Sequence, residues 1–278
     1  MIAAVLMFLA AVVAGTFGSM LGLGGGIIVI PVLTLLFKVS MKEAIAASIV
    51  TVVATSTSSA VVYVGKHMTN VRLGMVLEMA TTVGALIGGF TVAYLSPSIL
   101  RILFTALLIY TGYTLIKKAG KEKAASDEVY IQMPEDASQD EIDEHISNGR
   151  TPYTIKNYPA GMGASLFAGA ISGLLGVGGG LIKVPAMRLV MGVPMKIAIA
   201  TSNFMIGVTA ATSALIYYSH GMINPVITAP SVLGVLLGAQ FGTRLVRKMN
   251  VKILTWLFVG IIIFTAVQMI IKAFMGVS

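Results

Sequence analysis

This 278-residue sequence contains no cysteine and few charged residues, and its acidic residues are almost confined to one segment. The absence of cysteine excludes disulfide bonds, thiolate metal sites and thiol chemistry. Charged residues make up 11% of the chain and hydrophobic residues 56%, with a mean hydropathy of +0.92. A composition this apolar excludes an ordinary soluble domain and predicts a protein whose solvent is lipid.

The acidic residues divide the chain into three parts. Nine of the eleven lie between Glu122 and Glu144, which leaves only Glu43 and Glu78 in the rest of the sequence. We therefore predict an acidic aqueous linker that is most simply a flexible tether, with a membrane domain on each side. The linker covers residues 119–158, and the two membrane domains cover residues 1–118 and 159–278.

The linker contains the spacing of a helix start, and the basic residues outside it indicate lipid as a partner. Ser138 and Glu141 have the spacing of a capping box, so a short solvated helix is the alternative to a flexible tether. Basic residues of the two domains lie singly at the ends of apolar runs, where such residues anchor helices at lipid headgroups. This placement argues against a nucleic-acid partner.

The two membrane domains are copies of one unit. An offset of 154 residues places segment 22–31 on segment 176–185 without a gap, and 14 of the 27 positions from 22 to 48 are identical. The register continues through glycine, proline and asparagine positions that a shared apolar composition would not align. Duplication is therefore the better explanation.

Each copy divides into the same apolar runs, which predict helices. Three runs per copy approach the 20 or so apolar residues that a spanning helix needs. A shorter run follows a glycine-rich break in each copy, and at about 1.5 Å per residue it covers only about half of the hydrocarbon core. We predict an all-α polytopic membrane protein in which each copy is a broken, glycine-rich helical hairpin followed by three transmembrane helices. The hairpins cover residues 1–37 and 159–191, and the long runs cover 43–64, 73–94, 98–116, 197–218, 227–246 and 252–271.

The basic residues of the loops predict that the two copies run in opposite directions through the bilayer. The loop at 65–72 has two basic residues and its counterpart at 219–225 has none, and two further loop pairs also differ in their charge. Positive charge in short loops marks the cytoplasmic side. We therefore predict inverted repeats in the inner (plasma) membrane of the cell, with a cytoplasmic linker and both termini outside.

The two glycine-rich breaks are the predicted binding site. Successive glycines permit positive φ and leave unpaired N–H groups at the start of the following half-helix. A helix N-terminus carries about half a positive charge, so its natural partner in an apolar interior is an anion. Inversion brings both N-termini toward one point, as in transporters with discontinuous helices. The predicted binding residues are Gly24, Gly25, Gly26 and Ile27 in the first copy and Gly178, Gly179, Gly180 and Leu181 in the second.

Close helix packing is the alternative role of these glycines. We assign that role to two glycine pairs with three residues between them, Gly84 with Gly88 and Gly238 with Gly242. Three consecutive glycines followed by a proline are less typical of packing. A dinucleotide-binding loop is disfavoured, because no alternating strand pattern surrounds the glycines.

Two ionisable residues lie inside apolar runs. Lys183 follows the second break and aligns with Val29, so its charge belongs to one copy only. A cation at this depth marks a functional site where it would neutralise an anion; the alternatives are a structural ion pair or a side chain that reaches the interface. Glu78 is the only acid within a long apolar run. We predict that it pairs with Lys183 or relays protons, with a cap near the cytoplasmic interface as the alternative.

Uncharged polar residues cluster on the helix after each break. Ser48 and Ser202, which the repeat equates, are the predicted hydroxyl ligands, and Asn203 follows the second of them. Serine and threonine in membrane helices more often bond to their own backbone, which is the alternative. The apolar runs contain no cluster of His, Asp and Cys, so the sequence predicts neither an enzyme nor a metal or cofactor site.

The doubled glycine motif carries a family resemblance that covers nearly the whole chain apart from the linker. It reads Gly-Leu-Gly-Gly-Gly at 22–26 and Gly-Val-Gly-Gly-Gly at 176–180, with Pro31 or Pro185 downstream and then Ala47-Ser48 or Thr201-Ser202. In these features the chain resembles the TauE/SafE family of sulfite and organosulfonate exporters, also called the toluene-sulfonate uptake permease family. The resemblance implies passage of sulfite or organic sulfonates, coupled to an ion gradient. The long acidic linker departs from the compact family pattern.

The sequence thus predicts a secondary transporter that moves a small anion by alternating access around two broken helices, and the resemblance implies that the anion contains sulfur. A passive anion channel is the alternative of a different class. The expected partners are the anion and membrane lipid, and the sequence leaves open a homodimer of the chain.

Overall fold

The fold is described here from a computed structural model, which covers residues 2–65, 68–119, 129–132 and 150–245 together with residues 260, 263 and 267. Nearly all of these residues are helical, as predicted for an all-α polytopic membrane protein. Six of the described helices are long and apolar enough to cross a membrane. Two predictions lie outside the described residues, namely the linker helix at Ser138 and most of the final apolar run, 252–271.

The first copy contains its helices in the predicted order. The first arm of the hairpin, α1 (Ile2–Leu21), ends at the glycine-rich break, and the second arm begins with α2 (Gly26–Pro31) and continues as a π-helical turn, Val32–Leu36. Pro31, which has no N–H to donate, coincides with this change in winding. The longer helices are α3 (Met41–Gly65), α4 (Val71–Tyr94) and α5 (Pro97–Ala119).

The second copy repeats this order with the predicted offset. Its described helices are α6 (Tyr158–Leu175), α7 (Gly180–Leu189), α8 (Met195–Ser219) and α9 (Pro225–Leu245). Helices α7, α8 and α9 begin 154 residues after α2, α3 and α4. The duplication seen in the sequence is therefore also a duplication of secondary structure.

The two copies exchange their first helices. Helix α1 packs along α9 of the second copy, and α6 packs along α4 of the first. Glycines make both contacts close: an added Cβ at Gly84 would overlap the backbone of Leu166, and one at Gly238 would overlap the backbone of Val12. The packing role predicted for these glycines is confirmed.

This exchange is the arrangement that a two-fold relation between the copies produces. At the centre, Val52 of α3 and Ile206 of α8, which the repeat equates, both lie against Gly24 and Gly178. Equivalent residues therefore meet across the interface between the copies. The opposite orientation of the copies in the bilayer stays a prediction.

Part of the linker forms a small β-sheet, so the prediction of a flexible tether is wrong for these residues. Strands β1 (Val129–Gln132) and β2 (Arg150–Tyr153) pair in parallel, with Val129 opposite Arg150 and Gln132 opposite Tyr153. Each strand is only four residues long and lies next to polar sequence, which is why composition did not reveal it. The chain after β2 continues to Ile155, which is buried against the membrane helices.

We expect Gly84→Ala to destabilise the protein, because a Cβ there meets the carbonyl oxygen of Leu166 and lies 2.8 Å from the amide nitrogen of Ala170. Overpacking of this kind costs about 1–3 kcal/mol. Gly163→Ala on α6 is the matched control, since nothing lies within 4 Å of its added Cβ. Thermal unfolding of the detergent-solubilised protein measures both variants. Equal unfolding temperatures would contradict the close packing of α4 on α6.

Glycine corners and a buried ion pair

The glycine-rich breaks of the two copies, which we call corner one (residues 22–26) and corner two (residues 176–180), have the same backbone shape. Positive φ occurs at Gly22 (72°), Gly24 (73°) and Gly25 (79°), and at Gly176 (67°), Gly178 (80°) and Gly179 (74°). Such φ values are costly for residues with a Cβ. The backbone itself therefore requires these glycines, and helix packing alone does not account for them.

The two corners contact each other in the buried interior. An added Cβ at Gly26 would lie 2.6 Å from the carbonyl oxygen of Gly176, and one at Gly180 would overlap that of Gly22. Ile27 and Leu181, which follow the corners, are buried as well. All eight of the predicted backbone-site residues are thus buried, and Gly24, Gly26, Gly178 and Gly180 lie against the opposite copy.

Each corner leads into the N-terminus of a short helix. Gly179, the N-cap residue of α7, is left-handed, and its carbonyl oxygen accepts hydrogen bonds from the N–H groups of Ile182 and Lys183 at 3.2 and 3.1 Å. The N–H groups of Gly180 and Leu181 come before these two, so they have no partner within the helix, as at any helix start. Helix α2 begins in the same way after Gly25.

Ser48 and Ser202 bind each corner to the other copy. The hydroxyl of Ser48 donates to the carbonyl oxygen of Gly176 at 2.8 Å, and that of Ser202 donates to the carbonyl oxygen of Gly22 at 3.4 Å. These two serines therefore do not bond to their own helix. The hydroxyls of Thr51, Thr55 and Ser59 do bond to their own helix, as the alternative predicted.

Asn203 has an unpaired acceptor. Its Nδ2 donates to the carbonyl oxygens of Ile199 at 3.2 Å and Ser19 at 3.5 Å, while its buried Oδ1 has no hydrogen-bond partner among the described residues. A buried polar atom without a partner costs free energy. The oxygen is thus available to a ligand that can donate a hydrogen bond.

Ser172 is a candidate site residue that the sequence interpretation missed. It is fully buried, and its Cβ lies 3.3 Å from the place where a Cβ on Gly179 would be. Its hydroxyl has no hydrogen-bond partner among the described residues. Comparison of the two copies could have revealed it, because the equivalent residue of the first copy is Gly18 and the hydroxyl therefore belongs to the second copy alone.

Lys183 and Glu78 form a buried ion pair, which was one of the predicted arrangements. Lys183 Nζ lies 3.5 Å from Glu78 Oε2, and the two side chains are 0% and 8% exposed. They are the only acidic or basic side chains among the buried residues that the structure describes. Lys183 therefore does not reach the interface, and Glu78 does not act as an interfacial cap.

Thr209 completes a triangle with the ion pair, and the sequence interpretation did not assign it this role. Lys183 Nζ donates to Thr209 Oγ1 at 2.8 Å, and Thr209 Oγ1 donates to Glu78 Oε1 at 2.6 Å. Such bonds offset part of the cost of burying two charges. The equivalent positions of the other copy hold Val29, Thr55 and Val232. The charged group therefore exists on one side of the two-fold relation only.

The described residues contain no group of three or more His, Cys, Asp or Glu side chains that could hold a metal ion. The carboxylate of Glu78 is the one buried acidic group in this part of the chain, and Lys183 already lies beside it. The arrangement is suited to holding an anion or exchanging a proton.

Comparisons with known proteins find a transporter family and relatives named as membrane transporters. A family model described as sulfite exporter TauE/SafE matches residues 7–269. The chain is similar to the probable membrane transporter protein YunE of Bacillus subtilis, with 28% identity over 277 residues, 96% of this chain and 97% of that protein. It is also similar to the probable membrane transporter protein MJ0441 of Methanocaldococcus jannaschii, with 22% identity over 89% of this chain and 88% of that protein.

A plant relative carries the family name. Sulfite exporter TauE/SafE family protein 5 of Arabidopsis thaliana is 34% identical over 84 residues, 30% of this chain and 18% of that protein. No solved structure matches the chain. Because the family model spans both glycine corners and the ion pair, this polytopic membrane protein belongs to the sulfite exporter TauE/SafE family.

Proposed function

We propose that this membrane transporter moves a small sulfur-containing anion, such as sulfite or an organosulfonate, by alternating access around its two corners. The proposal rests on the two glycine corners, which contact each other in the buried interior. Each corner leads into a helix N-terminus through consecutive glycines, which have no side chains to cover the backbone N–H groups. Backbone N–H groups and helix dipoles at such a place favour an anion. The family supports a sulfur oxyanion or sulfonate as the substrate class.

The reciprocal serine bonds support alternating access. Ser48 holds corner two and Ser202 holds corner one, at 2.8 and 3.4 Å respectively. Two copies with the same fold can each adopt the contacts that the other now has. The site then opens first to one side of the membrane and then to the other. We infer that the corners part when these bonds break, and that the serine hydroxyls then turn to the anion.

Polar replacements favour corner two as the principal anion site. Ser172 and Lys183 stand where the first copy has glycine and valine. Ser172 offers an unpaired hydroxyl beside Gly179, and Lys183 lies in the first turn of α7. We infer that the N–H groups at the start of α7 and the Ser172 hydroxyl bind the anion together, with Lys183 as the countercharge.

We further propose that Glu78 carries a proton that moves with the transport cycle. An anion that draws Lys183 away would leave the Glu78 carboxylate buried without a cation, and uptake of a proton removes that cost. Sodium is disfavoured as the coupling ion, because the ammonium of Lys183 occupies the place beside the carboxylate that a metal cation would need. Among the described residues, the other hydrogen-bond partners of Glu78 are the hydroxyls of Thr209 and Thr82.

Reconstitution into proteoliposomes tests the transport proposal. We expect saturable uptake of sulfite or an organosulfonate, and we expect Gly25→Leu and Gly179→Leu to abolish it, because leucine fits neither the positive φ nor the space. Gly163→Leu is the control, at a site open to its surroundings. Absence of anion flux would overturn the proposal. Flux that does not saturate and ignores a pH gradient would identify a passive channel instead.

Ser172→Ala tests the assignment to corner two. A hydrogen bond to a charged group contributes about 1.5–3 kcal/mol, so we expect KM for the anion to rise about tenfold or more with little change in maximal rate. Ser231→Ala is the control, because this buried hydroxyl bonds to the carbonyl oxygen of Ile227 in its own helix. An unchanged KM in Ser172→Ala would place the anion elsewhere.

The coupling proposal predicts different responses to an imposed pH gradient. We expect Glu78→Gln to transport without such a response, since an amide does not exchange a proton, and Thr209→Val to respond weakly. Thr55→Val is the matched control, because Thr55 is the repeat counterpart of Thr209 and its hydroxyl bonds to the carbonyl oxygen of Thr51 in its own helix. A sodium gradient should have no effect on any variant. A normal pH response in Glu78→Gln would contradict the assignment.

A further inference from the structure

The end of the linker lies across one face of the transporter. Ile155, two residues after β2, is 5% exposed and packs in a cluster that contains residues from three membrane helices. Its cluster partners include Leu73 of α4, Met187 of α7 and Ile197 of α8. We call residues 150–157 the strap.

Polar contacts hold the strap on both sides of Ile155. Asn70, the N-cap residue of α4, donates from Nδ2 to Gln132 Oε1 at 2.6 Å and to the hydroxyl oxygen of Tyr153 at 3.0 Å. On the other side, the N–H of Lys156 donates to the carbonyl oxygen of Met191 at 3.1 Å. Asn157 Nδ2 donates to the carbonyl oxygen of Val190, also at 3.1 Å. Together with the pairing of β2 to β1, these bonds and the buried Ile155 side chain anchor the segment.

The cluster beneath the strap lies directly above the buried ion pair. Leu77 precedes Glu78, and Met187 lies one helical turn beyond Lys183. Met205 lies one turn before Thr209, whose hydroxyl is 3.1 Å from the Met205 carbonyl oxygen. On all three helices the cluster is thus nearer to the strap than the charged group is. It separates that group from the surface that the strap covers.

Asn70 also connects the strap to the helix that holds corner one. The backbone N–H of Asn70 donates to Thr201 Oγ1 at 3.0 Å, and Thr201 precedes Ser202. Asn70 therefore bonds at once to the linker and to the helix that holds corner one. Movement of the strap changes the surroundings of a residue that touches the transport machinery.

There is space beside the strap. A cavity of about 260 Å³ lies between the start of α4, strand β1 and the start of α6, and its lining includes Arg72, Gln132 and Tyr158. The region between Gln132 of the small sheet and the start of α4 is therefore partly open. A short segment outside the membrane helices that lies beside open space is of the kind that opens locally without global unfolding.

We propose that the strap is a gate over one of the two access routes, on the face predicted to be cytoplasmic, and that Ile155 is its plug. The strap must lift before water, protons or the anion reach Lys183 and Glu78 from that face. The linker thereby regulates the proposed transport site, and this role rests on the proposed function. Because the chain has no natural cysteine, single introduced cysteines report on the gate directly.

Labelling by a hydrophilic maleimide tests the plug in a lipid nanodisc. Met187→Cys is the reporter beneath the strap, and Leu33→Cys, its equivalent in the other copy, is the control; both native side chains are 1% exposed. We expect Ile155→Ser to speed labelling of the Met187→Cys reporter about tenfold. Opening of the strap in the unmodified protein exposes the buried isoleucine side chain to water, and the serine variant does not have that cost. The Leu33→Cys reporter should not change. Equal rates with and without Ile155→Ser, or a rise at both reporters, would overturn the proposal.

Locking the strap tests whether it must open. Lys156 and Val190 are both exposed and lie next to the bonds that hold the strap to the end of α7, so a short bismaleimide should join Lys156→Cys to Val190→Cys. We expect the cross-linked double variant to lose anion flux, while each single variant treated with the reagent keeps it. Full flux in the cross-linked protein would overturn the gate.

The two experiments separate failure of the gate from failure of the transport proposal. Labelling needs no substrate, so it decides whether Ile155 seals the cluster even if no anion is transported. If the unmodified protein carries none of the tested anions, the proposed function fails. If it carries one and the locked strap makes no difference, only the gate fails.

Discussion

Backbone polar groups that lie away from water must find partners within the protein, and the two corners are where this constraint is most severe. Each corner interrupts a helix, so its carbonyl and N–H groups lose their regular partners. Ser48 and Ser202 supply part of the replacement, each for the corner of the opposite copy. Neither copy therefore satisfies its own break alone, and the interface between the copies is also the place where a ligand could be held.

The two copies surround the corners with equivalent contacts, and the residues that differ between the copies provide the buried charges. Tyr63 donates to the carbonyl oxygen of Ser19, and its counterpart Tyr217 donates to that of Gly173, so the frame around the corners is the same in both copies. Glu78 and Lys183 have no charged counterparts. The charged pair therefore occurs once, although the frame around it is repeated. Ile155 of the linker packs into an apolar cluster of the same three helices that carry this pair and Thr209.

Much of the fold was predictable because it depends on local or compositional properties. Apolar runs of sufficient length form spanning helices in lipid, and Gly24 or Gly179 at positive φ reflects a conformation that few other residues adopt. Pairing of Lys183 with Glu78 was also foreseeable, since a buried cation needs a partner. The sheet in the linker was missed, because four-residue strands in polar surroundings carry almost no periodic signal. Ser172 and Thr209 were missed because a single hydroxyl in a membrane helix usually bonds to its own backbone.

The sequence by itself determined that the chain lies in a membrane, that it is duplicated with a 154-residue offset and that both breaks require glycine. These properties follow from solvation, repetition and backbone sterics, which act on a residue or on its near neighbours. Only the tertiary structure decided which polar groups meet. Glu78 is 105 residues from Lys183 and 131 from Thr209, and the contact of all three depends on how α4, α7 and α8 pack. The same packing placed Ile155 over them, since a buried position for one isoleucine exists only once those helices are assembled.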